Sequence, residues 1–592
     1  MERFTRLASG ERELSVRLRT PRRPAITPAG RALETLENIA HEYGSGIERR
    51  KRQLLSRLER SGLTSAAAVE RLHEAASFLL AYPDNAAVHR SALKLLRGFG
   101  ARRDVARFAT ALTNSGIAGT PITFRFFSKM SRWLASRWPE RLSIDWDDFE
   151  DTSLLEALLP LMAHPAEAPG LDEYDLGLKG WIERMKARGE SDASFLIQAA
   201  AALPAAWPLR DVLHDSIDAP MTLRWGPLGP SRTAVLAPPL KGRGRRTLHP
   251  QREPLSRARP DLMSEAYRPP IAVRPLSVSQ GSSYIDMTRE AMVTRKRDLD
   301  AFANADPRDV RLVEYDDGLS FACLGVAPTD RLLLESVYGF LTLKNGTPIG
   351  YVLASALFQS CEIAYNVFDT FRGAEAALVY ARAIAMSRHL FGADSFTIYP
   401  YQLGADNEEA IASGAWWFYY KLGFRPKHRA VQRVLARELG RMQRNPEHRS
   451  TPATLRALAS DNVYFHLNGE RNDVIGELPL ANLGLAVSDS LTQRFGAART
   501  DATAKLAIEA RRALGLRSLA GWSADEREAF DRWAPLVLLV PGIARWNEDE
   551  RLGVAQVIRA KGGRRESDFV HRFDAHARLR TALRKLARQQ AP

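Results

Sequence analysis

Cys361-Glu362-Ile363-Ala364-Tyr365-Asn366-Val367-Phe368 alternates along its length and is rich in β-branched and aromatic residues, the pattern of a strand. It runs directly into Asp369-Thr370-Phe371-Arg372-Gly373-Ala374-Glu375-Ala376-Ala377, and from Ala376 to Leu390 apolar residues recur at helical spacing. A strand, a tight turn and a helix in that order bring backbone N–H groups and a helix N-terminus together, an arrangement that binds anions. A pyrophosphate is the natural guest. An arginine at a helix start opposes the helix dipole unless an anion is present, which points Arg372 towards a ligand. Asp369 reads as a cap of the turn.

Further along, Trp417-Phe418-Tyr419-Tyr420-Lys421-Leu422-Gly423-Phe424 closes the unit, preceded by Asn407-Glu408-Glu409-Ala410. The turn and this closing segment together resemble the two signature motifs of the GNAT acyltransferases. The resemblance implies a central mixed sheet with packed helices. It also implies a turn that holds the pyrophosphate of acetyl-CoA, or of a longer acyl-CoA, through main-chain amides. Carried over position by position, it assigns Val367, Phe368, Arg372, Gly373, Ala374, Glu375, Ala376 and Ala377 to cofactor binding. The family's central glycine is replaced by Glu375, whose carboxylate repels a pyrophosphate unless it points away. Asn407 lies earlier than the family spacing, so the helix from Asn407 to Leu422 is longer than usual or is interrupted at Ser413-Gly414. Gly423 reads as the C-cap.

Upstream, the runs Ser336 to Leu343 and Ile349 to Ala356 flank Lys344-Asn345-Gly346-Thr347-Pro348, and Asn-Gly between apolar runs is a strong hairpin signal. Asp316-Asp317-Gly318 marks an earlier turn between Val310 to Tyr315 and Leu319 to Gly325. These place the acyltransferase-like region at 284–432.

Acyl transfer to an amine needs a group to take the amine proton and one to protonate the leaving group. Glu362, on the strand that leads to the turn, is the candidate base, with an outward-facing solvated carboxylate as the alternative. Tyr419, where many family members carry the tyrosine that protonates the CoA thiolate, is the candidate acid. Its alternative is simple packing, since Trp416, Trp417, Phe418, Tyr419 and Tyr420 cannot all face one site. Tyr365 and Tyr420 are reserves, and His389 and His428 read as surface or core residues.

The expected architecture is α+β and multidomain, the GNAT-like sheet being flanked by mostly α-helical N- and C-terminal regions. A chain of 592 residues exceeds one core. Residues 1–29 form a basic segment, and 30–225 a helical block with apolar stripes at Ala32 to Ile39, Arg50 to Leu58, Ala66 to Leu80, Ala92 to Leu96 and Ser153 to Met162. Residues 226–283 read as a flexible or extended Pro/Arg-rich linker holding Lys241, Arg243, Arg245, Arg246, Arg252, Arg257 and Arg259. Residues 433–592 are mostly helical and end in the basic stretch Arg578 to Arg588.

The chain carries 84 basic against 69 acidic residues, a net +15, which favours an acidic partner such as CoA, or nucleic acid at the linker and tail. With only Cys323 and Cys361, no disulfide framework and no metal site is expected. The absence of an apolar leader or a run long enough to span a bilayer gives a cytoplasmic expectation. The functional expectation is an N-acyltransferase in which the amine, on a small molecule or a protein, attacks the thioester directly in a ternary complex, held by Glu362, Tyr365 and the aromatic helix. Its alternatives are a catalytically inactive scaffold that binds or regulates, the helical flanks holding a protein partner, and a nucleic-acid-associated protein.

Overall fold

The computed structural model describes residues 27–589, apart from 204–206, 225–229, 241–246, 257 and 374. The architecture is mixed α/β, and two sheets organise it. The smaller joins β1 (Ile122–Phe124), β2 (Leu142–Ile144) and β3 (Met221–Leu223) in the order β1-β3-β2, all antiparallel. It lies within the stretch expected to be purely helical and has its own core, which includes Met130, Trp133, Leu134, Ile182 and Leu196.

The larger sheet has nine strands: β4 (Ala272–Pro275), β5 (Ala305–Glu314), β6 (Leu319–Val326), β7 (Ser336–Lys344), β8 (Thr347–Leu357), β9 (Ser360–Val367), β10 (Ser395–Ile398), β11 (Arg425–Pro426) and β12 (Val463–His466). Their order is β11-β12-β10-β9-β8-β7-β6-β5-β4. Every neighbouring pair is antiparallel except β9 and β10. A parallel pair needs a crossover, and the helix Ala376–Phe391 supplies it. That helix buries Val379, Tyr380, Ile384, Met386 and Phe391 and ends on Gly392 at φ +69°, a left-handed cap.

Local chemistry explains the hairpin at the sheet's centre. Asn345 and Gly346 adopt φ +49° and +82°, the paired positive values of a type I′ turn between β7 and β8. The Asn345 side chain also donates to the carbonyls of Ala81 and His249, so the same turn ties the N-terminal helices to the sheet.

Region boundaries differ from the sequence reading in three places. The segment 226–283 is not a free tether where it is described: Ala237 donates to the Gly346 carbonyl, and Thr233 bonds His73 and Ala118. Its later part forms β4, and a helix starts at Val278, capped by Ser277 and Gln280 in a reciprocal capping box. The basic residues Lys241, Arg243, Arg245, Arg246 and Arg257 lie outside the described residues, as does the segment 1–26. In the C-terminal stretch, β12 is inserted between β10 and β11, so the sheet is completed by a strand beyond 432.

One buried arginine fastens the C-terminal helices to the sheet. Arg331, in the loop before β7, donates to the carbonyls of Val326, Lys561, Gly563 and Arg564 and stands 3.8 Å from Glu566. Its side chain is 1% exposed. Replacing it leaves these carbonyls without their donor, while Glu566 keeps Lys561 at 2.5 Å, so Arg331→Met is expected to cost about 1–3 kcal/mol. Denaturant titration reads this as a lowered midpoint.

Candidate active site

β9 and β10 run together only over Ser360–Glu362 and Ser395–Thr397. From Ile363 to Val367 β9 pairs with β8 alone, so the two parallel strands part immediately after Glu362 and leave one edge of β9 open. Glu362 therefore stands at the fork.

The register places Val337, Ser355, Glu362 and Thr397 in one row across β7, β8, β9 and β10, on one face of the sheet. Val337, Ser355 and Glu362 are each half-buried. Glu335 lies two residues before Val337, and Tyr399 follows β10. Neither the Glu362 nor the Glu335 carboxylate has a hydrogen-bond or ion-pair partner among the described residues. Burial, and after it the charge of Glu335, raises the Glu362 pKa to about 7. Burial raises Glu335 as well, opposed by Lys561. A carboxyl that titrates near neutrality suits a general base. Glu335 and Tyr399 were not singled out from the sequence: only strand register brings them to Glu362.

Tyr419 occupies the other face. The ring of Tyr365 lies 5.4 Å from Tyr380 on the crossover helix, and Tyr380 lies 5.5 Å from Tyr419 and 5.8 Å from Phe418. Because Glu362 and Tyr365 differ by an odd number of positions along β9, they point to opposite faces. They do not form one wall, which corrects the sequence expectation. Tyr365 is further committed by donating to the Ala376 carbonyl. Tyr419 is 3% exposed, its hydroxyl makes no hydrogen bond among the described residues, and burial raises its pKa, so it stays protonated. Tyr420 stacks on Trp416 and carries Arg425 over its ring, a packing role.

The turn after β9 is a short 3-10 segment, Asp369–Phe371, followed by Gly373 at φ +85°. Only glycine adopts that value without strain. The helix begins at Ala376, next to Ala377, with no side chain capping its first amides. Ala374 lies outside the described residues. Glu375 points away from the turn: its carboxylate takes a 2.9 Å ion pair from Lys344 Nζ, with side chains 11% and 4% exposed. The pair is neutral, so the replaced glycine adds no net repulsion towards an anion. Arg372 reaches Asp369 at 2.7 Å and also bonds Glu409. Asp369 is thus an ion-pair partner, with no cap bond from its side chain.

Beside the turn lies a cavity of about 550 Å³ lined by Arg232, Arg295, Lys296, Arg297 and Arg372, with Glu70, Glu74 and Asp369. Arg232 is neutralised by Glu74, and Arg297 stands 3.7 Å from Glu409. Arg295 has no carboxylate within ion-pair distance among the described residues. Its guanidinium lies 3.7 Å from the centroid of the Phe368 ring and donates to the Ala291 carbonyl. Burial, with Arg232 beside it, lowers its pKa to about 9, the mark of an under-compensated cation. Val367 ends β9, half-buried, at the same end.

Asn407 caps the helix Glu408–Ser413 by accepting from Ala410 N, and Gly414 at φ +67° breaks it before Ala415–Lys421 begins. The interruption falls where the sequence placed it. His389 and His428 are exposed. In the basic tail Arg578 pairs with Glu550 and Arg584 with Asp473, so these two charges are met within the chain, and Arg588 bonds Asn472. Among the described residues there is no cluster of metal-ligating side chains and no helix long and apolar enough to cross a membrane. No family profile, curated protein or solved structure matches the chain.

Proposed function

We propose that the chain is an N-acyltransferase of the GNAT type that uses acetyl-CoA or another acyl-CoA. The observation that carries this reading is the fork of β9 and β10, with the Glu362 carboxylate at its apex and the Gly373 turn and an uncapped helix start at its far end. From Glu362 to Val367 the strand covers roughly 17 Å at about 3.4 Å per residue. An extended pantetheine arm spans that length, so a thioester can lie at Glu362 while the phosphates lie against the turn and the cavity of Arg295 and Lys296.

The amine nitrogen attacks the thioester carbonyl; the C–N bond forms and the C–S bond breaks, its electron pair passing to sulfur. Glu362 takes a proton from nitrogen on one face, and Tyr419 gives one to the thiolate from the other. Both reset by exchange with solvent. Positioning of the two reactants supplies much of the rate.

The test is release of CoA thiol from acetyl-CoA and longer acyl-CoAs in the presence of a panel of amines. Tyr419→Phe is expected to lower kcat by about 10²-fold while leaving acyl-CoA affinity nearly unchanged. An unchanged kcat would remove Tyr419 from the acid role. The second reading, a catalytically inactive scaffold, is favoured by the close mutual packing of the Tyr365, Tyr380, Phe418, Tyr419 and Phe424 rings beside the fork. Absence of acyl-CoA-dependent turnover with every amine would support it.

A further inference from the structure

The loop before β7 opens an apolar cavity of about 340 Å³, lined by Leu332, Leu333, Leu334, Leu483, Val487 and Leu536 among others. Its polar exception is Glu335. An apolar space of this size holds the body of a small molecule. A carboxylate without a partner at its wall calls for a cation, since a half-buried unpaired charge is costly. Between Glu335 and Glu362 the register sets Val337 and Ser355, both half-buried.

We propose that the acceptor is a primary amine on an apolar body, its alkyl or aryl part seated among Leu332–Leu334 and Leu483 and its ammonium guided by Glu335 to Glu362. This inference rests on the acyltransferase reading for its reaction, though not for its binding step. The Leu480–Val487 stretch closes one side of the cavity, and the carboxylates select against acidic amines by like-charge repulsion. The substrate class is then alkylamines and arylalkylamines rather than amino acids or amino sugars. Glu335 is a positioning residue; Glu362 alone touches the reacting nitrogen and takes the ammonium proton to free the lone pair for attack, and the second nitrogen proton passes to water as the amide forms.

Amine binding without acyl-CoA tests the inference separately from the function. Octylamine and phenethylamine are titrated calorimetrically into the full chain, with ethanolamine and 1-octanol as comparators. Gly484 lines the cavity from an exposed helical position where an added Cβ meets nothing within 4 Å, so Gly484→Trp fills the space without disturbing the core. The expected result is saturable binding of both apolar amines, at least tenfold tighter than either comparator, weakened at least tenfold by Gly484→Trp and by Glu335→Gln. With acyl-CoA present, Glu335→Gln raises KM for the amine and leaves kcat within about threefold. Equal binding of 1-octanol, or amine binding untouched by both variants, would overturn the assignment. Loss of long-chain acyl-CoA binding in Gly484→Trp with amine binding intact would also overturn it and give the cavity to the acyl tail. If apolar amines bind as expected but no acyl-CoA does, the acyltransferase reading fails while the amine site stands.

Discussion

Glu362→Gln is expected to lower acyl transfer by about 10²–10⁴-fold, because the amide keeps the shape and the burial but cannot take a proton. The wild-type rate should rise with pH through about 7, where the carboxyl held up by burial and by Glu335 ionises. The variant should lose that limb. Stability should move the opposite way. The folded pKa of about 7 exceeds the ordinary value of 4.5, so the fold favours the protonated carboxyl. That contribution is complete below the unfolded value and is lost as pH rises through 7. Glu362→Gln should therefore raise the melting temperature at pH 8 and leave it unchanged at pH 4. Tyr399 and Glu335 face the same group, and Lys561 lies behind Glu335, so Glu335→Gln should shift the limb of the pH profile downwards without abolishing it. A pH–rate profile identical in wild type and Glu362→Gln would remove Glu362 as the base.

Glu375→Gly carries the second large effect, and it falls on stability. Read from the sequence, this change restores a family glycine and should preserve or tighten CoA binding. The structure changes the expectation, because Glu375 neutralises a lysine that is 4% exposed. Removing one partner of a buried pair leaves the other charge uncompensated, at a cost of about 3–5 kcal/mol. Denaturant unfolding of Glu375→Gly should show that loss. The double variant Lys344→Met/Glu375→Leu, which removes both charges, should recover most of it. Equal midpoints for wild type and Glu375→Gly would mean that the pair contributes nothing and that the carboxylate is free to face the turn.

The parts of this fold that the sequence made legible are those with local chemistry. Asn345-Gly346 demands positive φ at two successive residues and specifies the β7–β8 hairpin. Gly414 interrupts a helix whose aromatic half was visible as a run, and Ala376–Phe391 follows its apolar spacing. What escaped was short or non-local. The strands β1, β2 and β3 have three residues each, too few to set a period of two against a helical background. β4 ends in Pro275 at the edge of the sheet, where a missing N–H is harmless but the run no longer reads as a strand. β12, Val463–His466, carries a strand-like composition, but only its pairing with β10 and β11 reveals its place.

The site divides in the same way. The strand of Glu362 and the turn after it lie on consecutive residues and could be read in order, whereas the fork depends on β10, Ser395–Ile398. Glu335 reaches Glu362 through the register of three strands, and Arg295 meets Phe368 across a helix end and a strand end. No spacing along the chain announces either meeting. The repulsion attributed to Glu375 was also non-local in its resolution, since Lys344 sits at the end of β7. The capping box at Ser277 and Gln280 is a local signal for the helix start at Val278.

Binding of acyl-CoA at the open edge of β9 and the turn after it can be read by calorimetric titration of the purified chain with acetyl-CoA and a series of longer acyl-CoAs. The expected result is saturable one-site binding that Gly373→Val abolishes, because a β-branched residue cannot hold φ +85° and the turn loses its shape although the added Cβ meets nothing within 4 Å. A folded wild type that binds none of these thioesters, or a Gly373→Val chain that binds them unchanged, would contradict it.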